Sequence, residues 1–196
     1  MPVPLRQVRA VFDDTTITVY QAYSPHIAEP AAAAGSFAGT PFKLERMTWV
    51  KPSFLWMMYR SGWASKPGQE RVLAVRMTRT GFEEALAQAC LSHPDPAVDT
   101  DHDAWRRRLE TSPVRVQWDP ERDVRLQPLP WRSIQVGLTG PAAHDYVHRW
   151  TVGITDITAD VHALRQGTGA AHLPAERPYP LPADVAAAVG ASRPVA

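Results

Sequence analysis

The first clear pattern along the chain is Thr16-Ile17-Thr18-Val19-Tyr20-Gln21-Ala22-Tyr23, whose alternation sets Ile17, Val19 and Gln21 on one face and Tyr20 on the other. It predicts a strand. Ser24-Pro25 then supplies an N-cap with proline at the first helical position, and the alanine-rich stretch His26 to Ala34 reads as a helix stopped by Gly35. A second helix is expected from Pro52 to Ser61, because Phe54, Leu55, Met57 and Met58 can pack inward and Gly62 can take the terminating left-handed conformation. Lys51, just ahead of a proline, is pushed toward extended backbone. Val72 to Met77 reads as a strand and Thr80 to Leu91 as a helix with Phe82, Leu86 and Ala89 or Cys90 on one side. The acidic stretch HPDPAVDTDHD reads as a loop before a short helix around Ala104 to Glu110. Val114 to Trp118 and Val124 to Leu126 flank the turn-rich link Asp119 to Asp123, which suggests a hairpin. Arg132 to Leu138 reads as a strand, Pro141 to Arg149 as a helix, Thr151 to Ile157 as a strand and Asp160 to Gln166 as a last helical turn or two.

Strands and helices that alternate irregularly, with hairpin signals among them, favour a single α+β domain over residues 1–166, its sheet mixed or mostly antiparallel with flanking helices. From Gly167 onward the chain is rich in Ala, Pro and Gly, and residues 167–196 are expected to form an extended or disordered tail. The 196 residues are 44% hydrophobic, enough for one sizeable core without a disulfide, which the single Cys90 cannot form internally. No run approaches the roughly 18 apolar residues of a membrane span. The opening MPVPLRQVRAVFDD lacks an uninterrupted apolar signal core, so a soluble, cytoplasmic protein is expected.

Charge changes this picture locally. The net charge is +1, but residues 41–80 hold eight basic side chains against only Glu45 and Glu70, and residues 81–110 reverse the sign. A basic excess inside an apolar segment draws an anionic ligand, whereas near-neutrality overall argues against wholesale coating of nucleic acid.

The segments QAYSPHIA, ERMTWVKPSFLWMMYRSGWASKPGQERVLAV, SPVRVQWDPERD, RSIQVGL, ITDIT and LPAERPYPLP together resemble the domain-of-unknown-function family 4291, over nearly everything from Arg6 to Pro182. That resemblance implies no settled activity, cofactor or catalytic residue. The chemistry has to be argued from the side chains.

The most informative stretch is Lys43 to Trp63, where Lys43, Arg46, Lys51 and Arg60 are interleaved with Trp49, Phe54, Trp56, Tyr59 and Trp63. Cations beside flat rings suit a nucleotide or a nucleic-acid phosphate. Lys51 and Arg46 would neutralise the phosphate, and Ser53 with the first amides of the Pro52 helix would orient it. Trp49 or Trp56 would stack a base, a contact worth about 1–3 kcal/mol in single-strand binders. The competing reading makes the rings core and lays the basic stems across them.

Gln21, Tyr23 and Gln135 are the candidate catalytic groups, polar side chains set in apolar strands. A first strand ending in YQAY, a short glycine-closed helix and a late strand with a polar residue are similar in outline to ADP-ribosyltransferase folds. Those folds place His or Arg on the first strand and Glu on the late one, where this chain has Gln21 and Gln135. The similarity implies NAD as the cofactor of such chemistry. The alternative is a non-catalytic protein-interaction module in which the tryptophans and Arg60 form the partner surface.

Other motifs add little. His144 and His148 in HDYVH are four apart, but Asp145 stands where a metalloprotease helix has its glutamate base, so no metal centre is expected. Cys90 has no CxxC partner. Lys66-Pro67-Gly68-Gln69 reads as a turn before the strand at Val72. The chain contains no GxSxG, P-loop or GxGxxG.

Overall fold

A computed structural model describes residues 3–168 and 172–192. A two-residue strand, β1 (Arg9–Ala10), precedes β2 (Thr16–Tyr23), whose alternating residues are buried at Ile17, Val19 and Gln21 on one face and at Tyr20 on the other. Helix α1 (Pro25–Ala34) ends at Gly35 in the left-handed conformation. Strand β3 (Thr48–Val50) leads through Lys51 and Pro52 into α2 (Phe54–Ser61). The helix therefore begins two residues later than the sequence pattern predicts, because Ser53 is its N-cap: the Ser53 hydroxyl accepts the Trp56 amide at 3.1 Å. Gly62 closes α2 in the left-handed conformation.

Strand β4 (Arg71–Thr78) pairs along its whole length with β2 and is followed by α3 (Arg79–Ala87). The expected helix from Thr80 to Leu91 is cut short. Ala89–Leu91 forms β5 and pairs in parallel with Val114 to Val116, where Cys90 and Leu91 are buried. Joining a sheet buries both side chains, which one more helical turn would not do. Helix α4 (His102–Thr111) then leads to β6 (Val114–Arg122) and β7 (Pro128–Leu138), the expected hairpin. Its turn sits later than predicted: β6 runs through Asp119-Pro120-Glu121, and Val124 to Leu126 lies in the connection rather than in a strand. There the Asp123 carboxylate accepts the Arg125 and Gln127 amides. Helix α5 (Gly140–Asp145) continues as a π-helical turn over Tyr146–Trp150, and β8 (Thr151–Asp156) and α6 (Thr158–Gln166) follow.

The result is an α+β domain in which antiparallel pairing dominates. One sheet has the order β2-β4-β8 and the other β3-β7-β6-β5. Ile17, Val19, Val75 and Met77 from the first belong to one core with Val116, Ile134 and Val136 from the second. A smaller core under α2 joins Phe54, Met57 and Met58 to Tyr20, Val72 and Val161. Among the described residues no helix is long and apolar enough to cross a membrane.

The segment expected as a tail packs back on the domain. Strand β9 (Arg177–Pro178) pairs with β1, helix α7 (Ala183–Ala188) follows, and Tyr179, Val185 and Val189 are buried. The Trp118 indole donates to the Val189 carbonyl at 2.8 Å, and the Ser192 amide donates to the Arg6 carbonyl at 2.7 Å. A few spaced apolar residues suffice once a preformed surface receives them. Residues 169–171 and 193–196 of the expected tail lie outside the described residues.

This returning strap also closes the start of α2, where the Phe54 amide donates to the Glu176 carboxyl at 2.7 Å. Burial pushes the Glu176 carboxyl up from the ordinary 4.5 to about 8; the Phe54 amide opposes the shift and neighbouring Glu121 adds to it. Between those values the folded chain keeps a proton that the unfolded chain has lost, so stability falls as pH rises from about 4.5 to 8. Glu176→Gln keeps an acceptor for Phe54 without the charge. It is expected to reduce the loss of thermal midpoint across that pH range, and an unchanged pH profile would show that Glu176 is not the titrating group.

Candidate functional site

The two main sheets touch through one backbone bridge. The Tyr20 amide donates to the Lys51 carbonyl at 2.7 Å and the Lys51 amide to the Tyr20 carbonyl at 3.2 Å. Past this bridge, toward Tyr23 and Thr48, side chains take over from backbone pairing. The Gln21 amide nitrogen donates to Thr48 Oγ1 at 2.6 Å, to the Tyr23 hydroxyl oxygen at 2.8 Å and, more weakly, to the Trp49 carbonyl at 3.3 Å. Its carbonyl oxygen accepts the Tyr146 hydroxyl at 2.7 Å, and Tyr23 and Thr48 share a bond of 2.8 Å. Gln21 is only 2% exposed, and these bonds satisfy both ends of its amide. Burial keeps the Tyr23 and Tyr146 phenols well above the ordinary range, so both remain protonated as this network needs.

Beside this network the sheets diverge around a cavity of about 600 Å³. Its wall runs from Gln21 to Ile27, through the loop before β3, across Trp49 and Lys51, to Met57 and Arg60 of α2 and the turn at Gly68 and Gln69. Trp49 is held there by its neighbour across the pair: it stands opposite Gly137 of β7, where a Cβ would come within 3.0 Å of the indole and 2.8 Å of the Met47 sulfur. Only glycine leaves room for that ring.

Lys43, Arg46, Lys51 and Arg60, separated in sequence, all line this cavity, together with His26. Among the described residues no aspartate or glutamate lines it. Among the described residues none of the four cations makes an ion pair. Lys43, Arg46 and Arg60 are exposed at the rim, whereas Lys51 is 6% exposed and its ammonium has the Trp49 carbonyl as acceptor at 3.2 Å. Burial pushes Lys51 down to about 7, with repulsion from Arg60 adding to the shift and Asp119 opposing it.

Two of the expected binding residues stand elsewhere. Ser53 is buried as the α2 cap and donates to the Glu121 carboxylate at 2.9 Å, outside the cavity wall. The Phe54 and Trp56 amides at the start of α2 are likewise occupied, by Glu176 and Ser53, which takes two of the helix's first donors away from a phosphate. Trp56 is 5% exposed, stacked on Tyr59 at 5.1 Å between centroids, with the Arg122 guanidinium over the Tyr59 ring at 3.7 Å. It cannot offer a face to a base in the cavity.

Of the candidate catalytic groups, Gln21 and Tyr23 are on the wall, but Gln135 is not. Its amide donates to Asp119 Oδ2 at 2.7 Å on the neighbouring strand. Nothing in the sequence pattern marks Thr48, Phe42, His26 or Tyr146 as site residues. Thr48 and Tyr146 could have been reached only by asking where the buried Gln21 finds its partners, and Phe42 and His26 carried no signal of their own. His144 and His148 are exposed with rings 4.4 Å apart, and among the described residues no three His, Cys, Asp or Glu side chains group as metal ligands.

Two substitutions test this geometry. Tyr146→Phe strands the buried Gln21 carbonyl oxygen and is expected to cost about 1–3 kcal/mol in chemical denaturation. Lys51→Met removes a desolvated cation without a carboxylate partner and is expected to stabilise, on the order of 1 kcal/mol or more. In the wild type the folded chain releases the Lys51 proton near 7 while the unfolded chain holds it to about 10.5, so stability gains with pH in that window and the Met variant lacks the gain. A lower midpoint for Lys51→Met at neutral pH would make the amine a structural group.

A comparison with curated proteins returned no match. The family comparison matches residues 7–179, most of the chain, to the family described as Domain of unknown function (DUF4291). Both sheets, the cavity between them and the strap as far as Tyr179 fall inside that match, and the chain belongs to the DUF4291 family.

Proposed function

We propose that the cavity binds a phosphate-bearing small molecule of the nucleotide class, with Arg46, Arg60, Lys43 and Lys51 neutralising the phosphate and Trp49 offering a flat ring to a base. The observation that carries this reading is the grouping of four cations and a histidine around one concavity without a single acid. Like charges gathered without counter-charges raise the local concentration of anions and leave donors free for a phosphate. The volume of about 600 Å³ is in the range of small-molecule clefts, and the chain's net charge of +1 favours a discrete ligand over a polymer.

A transferase of the ADP-ribosyl kind using NAD draws support from Gln21 and Tyr23 on the wall. It loses Gln135, and the Gln21 amide is committed to bracing the sheets. Binding is therefore the reading adopted. An interaction module built on the tryptophans draws less support, because Trp56 is buried and Arg60 faces the cavity.

Calorimetry with inorganic phosphate, AMP, ADP-ribose, NAD and a short RNA tests the proposal. Saturable binding is expected for at least one phosphate ligand. Arg46→Ala and Arg60→Ala should each weaken it about tenfold, the scale of one charged hydrogen bond. Lys66→Ala, which removes a cation outside the cavity wall, should leave it unchanged. Because Lys51 sheds its charge near 7, affinity for NAD and ADP-ribose, whose diphosphate keeps a constant charge across this range, should fall as pH is raised from 6 to 8.5. Failure of every ligand to bind saturably, or an equal loss with Lys66→Ala, overturns the proposal.

A further inference from the structure

Only three of the 21 basic side chains in this chain are lysines, namely Lys43, Lys51 and Lys66. The one cation sunk into the cavity is Lys51, while arginine fills most other basic positions. Neutralising a phosphate does not call for this choice: arginine holds phosphate through a planar fork and keeps its charge. What lysine alone supplies is an amine that can exist unprotonated, and its surroundings favour that form. Arg60 of α2 repels it, and Arg46 and Lys43 from the loop before β3, His26 from α1 and Tyr23 from β2 line the same cavity. Asp119 of β6 is the acid whose charge reaches it, without a direct ion pair. The backbone of Lys51 is pinned by Tyr20 on one side and followed by Pro52, so the amine is delivered to a fixed place in the wall. A desolvated amine beside a second cation, in a cavity open to ligand, is the arrangement that makes a lysine nucleophilic toward carbonyl carbon.

We propose that Lys51 Nζ condenses reversibly with the carbonyl carbon of a phosphate-bearing aldehyde or ketone whose phosphate is held by Arg46 and Arg60 in the same cavity. This rests on the anion-binding reading above and adds a covalent step to it. The free amine attacks the carbonyl carbon and a C–N bond forms. The carbonyl oxygen then leaves as water, carrying away both amine protons, and a C=N bond remains. No electrons are transferred to or from a third party, and water reverses the step. The carbonyl can belong to a simple sugar phosphate or to the open-chain terminal sugar of a nucleotide, and both present the same pair of groups.

The probe is pyridoxal 5′-phosphate, an aldehyde with a phosphate and a flat ring, followed by sodium borohydride, which delivers hydride to the C=N carbon and fixes the adduct for peptide mass mapping. With three lysines in the chain the readout is residue-resolved. At limiting reagent the reduced adduct is expected on Lys51. Its rate should rise as pH is raised through about 7, whereas an ordinary lysine titrates near 10.4. Inorganic phosphate should protect, and pyridoxal without phosphate and the Arg46→Ala variant should each react about tenfold more slowly. Lys51→Arg should remove the fast adduct and leave only the slow labelling of Lys43 and Lys66. Ribose 5-phosphate and ADP-ribose, trapped in the same way, separate the two sources of carbonyl by which gives the faster Lys51 adduct. Labelling of Lys43 and Lys66 as fast as Lys51 overturns the proposal. An unlabelled Lys51 in a chain that still binds phosphate by calorimetry overturns the nucleophile alone, and loss of phosphate binding as well overturns both readings.

Discussion

The cavity depends on the pair of backbone hydrogen bonds between Tyr20 and Lys51 that joins the two main sheets. A continuous ladder along β2 and β3 would close the space between them. Instead one bridge forms and pairing stops, because Gln21, Tyr23 and Thr48 meet side chain to side chain where the next backbone bonds would fall. A buried amide must find partners or cost about 1–3 kcal/mol. Gln21 finds them across the divide, in Thr48 and the Trp49 carbonyl, and behind it in Tyr146. The polar network thus sets how the sheets part, and the space they leave is lined by whatever β3 and its flanking loops present.

Lys51 occupies both parts of this arrangement. The bridge uses only its main chain, which any residue other than proline supplies. Nothing in the joint therefore calls for a buried amine, and burial of a cation without a carboxylate opposes folding. An apolar side chain would serve the fold better. Where a residue breaks a local rule without a structural return, a site is the physical explanation to pursue, and the three further cations on the same wall are the companions such a site would have.

Much of the scaffold is legible in the sequence because it is written in local periodicity. β2, α1 and β4 follow from alternation and from cap residues within a few positions of where the structure has them. The failures are places where a distant surface decides. Ala89-Cys90-Leu91 continues a helical pattern, yet β6 offers an open edge and the segment becomes strand. The segment after Gly167 reads as too small and proline-rich to fold, yet Tyr179, Val185 and Val189 drop into a core assembled from distant parts of the chain, from Val8 to Ile154. The same applies to the site. The interleaving of cations and rings in Lys43 to Trp63 marks the right segment but cannot tell which rings face the cavity. That depends on the start of α2, and with Ser53 as cap Trp56 turns toward Tyr59 and Arg122 while Trp49 keeps the wall.

The placement of acids explains why the cavity's field comes from side chains alone. A helix N-terminus is an anion site only while its amides are free. At α2 the Trp56 amide is taken by Ser53 and the Phe54 amide by Glu176, brought from the far end of the chain, and Glu121 adds a second carboxyl there. The domain thus answers the helix end with its own carboxyl oxygens, whereas among the described residues no aspartate or glutamate lines the cavity that holds the four cations. A fixed dipole does not titrate, and an arginine does not lose its proton near neutrality. The positive potential of the cavity is therefore adjustable through Lys51, whose buried position brings its ionisation near 7. When it is charged, the wall is built for anion capture. When it is neutral, three further cations remain around the cavity and the amine lone pair is free beside them, so the proposed capture and the proposed nucleophilic attack would draw on the same residue in its two protonation states.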